Sequence, residues 1–115
     1  MNFETETHGS ITVVKLIDDR LDASMAIRFK EALKARVDEG VDHMLLDMSN
    51  IAFMDSSGLG AVVAHKKYMG TERVFEICGL TPTVDKVFKL TRMDSVFKIY
   101  PDVTSALEAE ARKAG

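Results

Sequence analysis

The sequence is short of the residues that mark special chemistry or special environments. Its 115 residues hold one cysteine, two prolines, two tyrosines and no tryptophan. The lone Cys78 cannot form an internal disulfide, and its place in the apolar run "RVFEIC" is that of a buried, inert thiol. No stretch reaches the roughly eighteen apolar residues that a membrane span requires, so no membrane partner is expected. The opening "MNFETE" is polar and acidic, unlike a secretory signal peptide. A surplus of positive charge is missing too. The net charge is −3, and the longest basic runs reach only two residues, as at Lys66-Lys67. A nucleic-acid partner, which needs a basic face, is therefore not expected. His8, His43 and His65 lack the spacing of zinc ligands and have no second cysteine to complete a set. These absences lead to the expectation of a cytoplasmic protein without metal or cofactor.

What is present is ordinary for a globular protein, with 46% apolar and 29% charged residues. The length suits one domain over residues 1–115 with a single core. "SITVVKLI" (residues 10–17) reads as a strand, preceded by a shorter one over 1–7 and joined to it by a two-residue turn at His8-Gly9. Asp22 is placed to cap a helix running to about Glu39, with Ala26, Phe29, Leu33 and Val37 on its inner face and Gly40 ending it. "HMLLDM" (43–48) is a nearly continuous apolar strand, and Leu59, Val62, Val63 and Met69 line a second helix that Gly70 stops. "RVFEIC" (73–78) alternates as a strand. Thr81-Pro82 opens a third helix carrying Val84, Val87 and Phe88, "VFKIY" (96–100) forms a last strand, and Pro101-Asp102 opens a terminal helix. This alternation with short connections predicts an α/β domain: a mostly parallel sheet of four to five strands, an antiparallel N-terminal edge strand and about four helices.

Enzymatic constellations are scarce. His65, beside Lys66 and Lys67, reads as solvated. Asp47 and Asp55 read as cap and strand-end groups rather than a magnesium pair. Asp55-Ser56-Ser57-Gly58 lacks the glycine two residues before the serine that a nucleophile elbow uses, and Gly58-x-Gly60 lacks the remainder of a phosphate loop. No catalytic residue is assigned. The stretch "FMDSSGLG" (53–60) still demands an explanation, because it places two hydroxyls beside a carboxylate at the start of a helix. Helix capping explains Asp55 and the serines at no further cost. Modification of a serine would make the chain a switch. In an open parallel sheet such loops gather at the carboxyl ends of the strands, so Asp22 is expected on the same rim as Asp55, Ser56 and Ser57.

"FMDSSGLG", together with "RLD" before the first helix, "HMLLDMS", "VVAHKKY" and "CGLTPTVDKVFKLTRMDSVFKIY", resembles the STAS domain, in particular the stand-alone bacterial anti-anti-sigma factors, over nearly the whole chain. The resemblance implies strands in sequential order, with helices mainly on one side of the sheet. It implies a partner that is both anti-sigma factor and serine kinase, of the histidine-kinase-like ATPase fold. That kinase would phosphorylate Ser56 and a PP2C-type phosphatase would reverse it. On this reading Asp22, Asp55, Ser56, Ser57, Gly58 and Gly60 form the partner-binding patch, with the glycines letting a kinase active site approach. Asp19-Arg20 stands where many members carry glycine and glutamate, which bears on partner identity. The rival readings are a STAS module in a stressosome-like, chemosensory, secretion or lipid-transport complex, and a small hydrolase using Ser56.

Overall fold

The computed structural model describes residues 1–114. Five strands, β1 (Phe3–His8), β2 (Ile11–Leu16), β4 (His43–Asp47), β6 (Val74–Cys78) and β7 (Lys98–Tyr100), form one sheet in that sequential order. β1 runs antiparallel to β2, and every other pair is parallel. β3 (Arg20–Leu21) and β5 (Phe53–Met54) form a separate two-stranded parallel ribbon. The helices are α1 (Ala26–Asp38), α2 (Ser56–Met69), α3 (Pro82–Leu90) and α4 (Val103–Ala114), with a 3-10 turn at Met93–Ser95. The expected α/β architecture, with its antiparallel edge and four helices, is thus observed.

Strand alternation assigns the two sides of the sheet. Val14, Leu16, Met44, Leu46, Phe75 and Ile77 point to the main core, where they meet Phe29, Leu33 and Val37 of α1, Val62 and Met69 of α2, and Val84 and Phe88 of α3. Ile11, Val13, Leu45, Cys78 and Tyr100 point the other way, against Ala106 of α4. Burial on both faces explains why β6 does not alternate as its sequence suggests: Phe75, Glu76, Ile77 and Cys78 are all buried.

Three local differences have physical causes. His8 pairs with Ile11, so the hairpin turn is Gly9-Ser10 rather than His8-Gly9, and Gly9 supplies the positive φ (+62°) that a tight hairpin needs. Asp22 does not cap α1, which begins at Ala26. Its side chain instead accepts from the Ser24 N–H (3.0 Å) and hydroxyl, while its carbonyl accepts from the Met25 and Ala26 N–H groups, closing a turn before the helix. His65 is buried rather than solvated, on the inner face of α2.

Candidate functional site

The ribbon of β3 and β5 builds the rim. Arg20 pairs with Phe53 and Leu21 with Met54, so the two strands deliver Asp22 and Asp55 side by side at their carboxyl ends. Asp55 is the N-cap of α2. Its Oδ1 accepts from the Gly58 N–H at 2.9 Å, and its Oδ2 accepts from the Ala23 N–H at 3.2 Å. One carboxylate therefore caps the helix and ties down the loop after β3. The Ser24 hydroxyl holds the Asp22 carboxyl below the usual carboxylate range, aided by Arg20, whose Nε lies 3.5 Å from Asp22 Oδ2.

Ser56 and Ser57 occupy the first two positions of α2, and both are exposed. First-turn N–H groups have no intrahelical acceptor and the helix dipole is positive here, so an anion on Ser56 would meet a favourable field from its own helix. The two glycines behave differently from each other. Gly60 is exposed, and a Cβ there would meet nothing within 4 Å. Gly58 is buried, and a Cβ there would lie 2.0 Å from the Leu21 carbonyl oxygen. What its missing side chain admits is the backbone of β3, which corrects the expectation that Gly58 opens the surface to an incoming active site.

Two features escaped the sequence reading. Phe53 is 52% exposed on β5, three residues before Ser56, an apolar side chain at the edge of an otherwise polar rim. Thr81 anchors the loop before β5 by donating its hydroxyl to the Ile51 carbonyl at 2.8 Å. A two-residue strand is too short to show alternation, so Phe53 carried no signal, and Thr81 was legible only as the start of the third helix. His65 and His43 do not converge on Ser56. His65 lies nine residues along α2, roughly 13 Å at helical rise, and His43 begins β4 at the opposite end from its exit toward the rim. Asp47 faces the α4 side of the sheet, in a groove with Lys15 and Val103, and is not assembled with Asp55.

Residues 2–106 match the family described as the STAS domain. The chain belongs to the STAS family. Its curated relatives include the anti-sigma F factor antagonist of Paenibacillus polymyxa, 26% identical over 111 residues covering 93% of this chain and 92% of that protein. The anti-sigma-B factor antagonist of Staphylococcus epidermidis is 26% identical over 100 residues, covering 86% of this chain and 92% of the relative. Among solved structures, an anti-sigma factor antagonist from Mycobacterium paratuberculosis superposes with a TM-score of 0.84 at 27% identity, covering 94% of this chain and 92% of the other. This chain is thus a STAS protein whose relatives, over most of its length, are named anti-sigma factor antagonists, a group that is typically non-enzymatic. Among the described residues no helix is long and apolar enough to cross a membrane.

Proposed function

We propose that this chain is an anti-sigma factor antagonist that works in the cytoplasm by partner switching, with Ser56 as the switch. Unphosphorylated, the rim of Asp22, Asp55, Ser56, Ser57 and Gly60 docks on an anti-sigma factor that is also a serine kinase, and the sigma factor is freed. Gly58 supports that rim from beneath. Phosphorylation of Ser56 ends the complex, and a PP2C-type phosphatase resets it. The observation that carries this reading is the exposed Ser56 at the first position of α2, flanked by two carboxylates from adjoining strand ends. The names of the relatives, each an antagonist of an anti-sigma factor, supply the partner class.

Electrostatics gives the mechanism. A phosphoserine adds roughly −1.5 to −2 charges. The N-terminus of α2 accommodates that charge, so the fold persists. A docked partner instead faces phosphate beside Asp22 and Asp55, with Arg20 in partial compensation. Like charges juxtaposed at an interface cost several kcal/mol, and about 3 to 4 kcal/mol lowers affinity several hundredfold. Arg20 gives this rim a charge pattern of its own and so bears on which kinase it accepts.

The test is retention from the native cytoplasm on three baits: wild type, Ser56→Ala and Ser56→Asp. A kinase-like ATPase held by the first two and lost from the third supports the switch, as does its phosphorylation of wild type and Ser57→Ala but not Ser56→Ala. Equal retention by all three baits makes Ser56 a helix cap and the chain a constitutive STAS module of another complex.

A further inference from the structure

On the side of the sheet away from Ser56, three side chains with metal-binding donors converge from three elements. His43 begins β4, Glu76 lies in the middle of β6, and Glu110 comes from α4. Their donor atoms all lie within 4.8 Å of one another. His43 Nε2 and Glu76 Oε1 are 2.8 Å apart, and the Glu76 side chain is only 6% exposed. β4 and β6 pair Leu45 with Glu76, so His43 and Glu76 project from the same face as diagonal neighbours.

A carboxylate buried in the middle of a sheet is expensive unless its charge is met. His43 meets it in part, but Glu110 brings a second carboxylate to the same place. Among the described residues its paired cation is Lys113, whose Nζ lies 3.2 Å from Glu110 Oε1 and which is itself largely exposed. As metal ligands, two carboxylates bring a charge of −2 and an imidazole none, which a divalent cation cancels. An independent feature points into the same space. The Tyr100 hydroxyl is buried and makes no hydrogen bond, and Tyr100 pairs with Cys78, so it projects from the same sheet face as Glu76, its diagonal neighbour. A phenol left unpaired among carboxylates is a ready donor to a metal-bound water, or a further ligand. A solvent-open groove of about 570 Å³ runs past Glu110, Lys113 and His8, on the α4 side of the cluster.

We propose that His43, Glu76 and Glu110 form a binding site for a divalent transition-metal ion of the zinc class, fastening α4 to the sheet. One imidazole and two carboxylates form a mixed nitrogen–oxygen donor set suited to Zn²⁺ or Co²⁺, with water or Tyr100 completing four-fold coordination. The separations along the chain, from residue 43 to 76 to 110, match no zinc motif, so the site arises only in the folded protein. It lies across the sheet from α2 and is independent of the Ser56 proposal.

The test is calorimetric titration of the chelator-treated full chain with Zn²⁺, with Co²⁺ absorbance as a second readout of coordination. The expected result is one equivalent bound with Kd below about 100 µM, weakened at least about tenfold by Glu110→Gln and by His43→Gln but unchanged by His8→Gln. Glu110 lies on the outer helix, so Glu110→Gln decides the outcome where His43→Gln disturbs folding. Absence of one-equivalent binding below that concentration overturns the proposal. So does binding that Glu110→Gln weakens less than tenfold, or that follows His8.

Discussion

Two glycines and one histidine define what single positions demand of this chain. Gly58 and Gly60 belong to the same motif, but only Gly58 lies against backbone. A methyl at Gly58 must push α2 away from β3, so Gly58→Ala is expected to cost about 3 kcal/mol, the upper range for overpacking. Gly60→Ala adds a better helix former in open space and is expected to stabilise by about 0.5 to 1 kcal/mol. Urea unfolding of the two variants beside wild type checks both signs. His65 has no partner for its Nε2 and packs edge-on to Phe75 at 4.8 Å, and burial lowers its pKa from 6.5 to about 4. Between those values the unfolded chain binds a proton that the folded chain refuses. The stability due to neutral His65 is complete above pH 6.5 and is lost as pH falls toward 4. From pH 7.5 to 5 the loss is about 2 kcal/mol. His65→Leu is expected to flatten that part of the pH profile, read as the urea midpoint at pH 7.5 against pH 5. An unchanged slope would mean that other groups set it.

At the scale of elements, α2 combines a cap and a modification site in adjacent residues, and the two roles separate by substitution. Asp55→Ala removes the acceptor for the Gly58 and Ala23 N–H groups and is expected to cost about 1 to 2 kcal/mol. Ser56→Asp places negative charge at the first position of the same helix, where the dipole favours it, and is expected to leave stability within about 0.5 kcal/mol of wild type. Denaturation of the two proteins, set beside partner retention, distinguishes loss of docking from loss of fold. The same helix shows how far sequence reading reaches. Its limits at Asp55 and Gly70 were legible because capping and termination are local chemistry. Its inner face was not. Leu59, Val62, Val63 and Met69 were the apolar stripe by hydrophobicity, whereas the buried row is Gly58, Ala61, Val62, His65 and Met69. The stripe is rotated because α2 packs closest where its residues are smallest, and small residues carry little hydrophobic signal. The β3–β5 ribbon was invisible for a different reason: two residues cannot display a period of two. Yet that ribbon is what brings Asp22 and Asp55 together, so the rim's members were readable and the device that assembles them was not.

Considered whole, the molecule has one thick layer and one thin one. Three helices cover the core face of the sheet, while α4 alone covers the other, with Ala106 buried and Val103, Leu107 and Ala109 only partly so. The thin layer is expected to open first, because few buried apolar side chains oppose local unfolding there. Cys78 is the reporter the sequence supplies. It lies on that face at 0% exposure, and burial together with the Asp47 and Asp102 charges pushes its thiol up to about 12. The native protein is therefore expected to resist thiol reagents at pH 8, since only the thiolate attacks and it is both scarce and covered. Ala106→Asp buries a charge under α4 and is expected to raise the labelling rate of Cys78 at least about tenfold, equivalent to easing the opening by about 1.4 kcal/mol. If the two faces are independent, that variant still retains the partner bound through the Ser56 rim, because α1, α2 and the β3–β5 ribbon lie across the sheet. Loss of partner retention at unchanged secondary structure would instead mean that α4 communicates with the rim through the shared strands, β4 and β6.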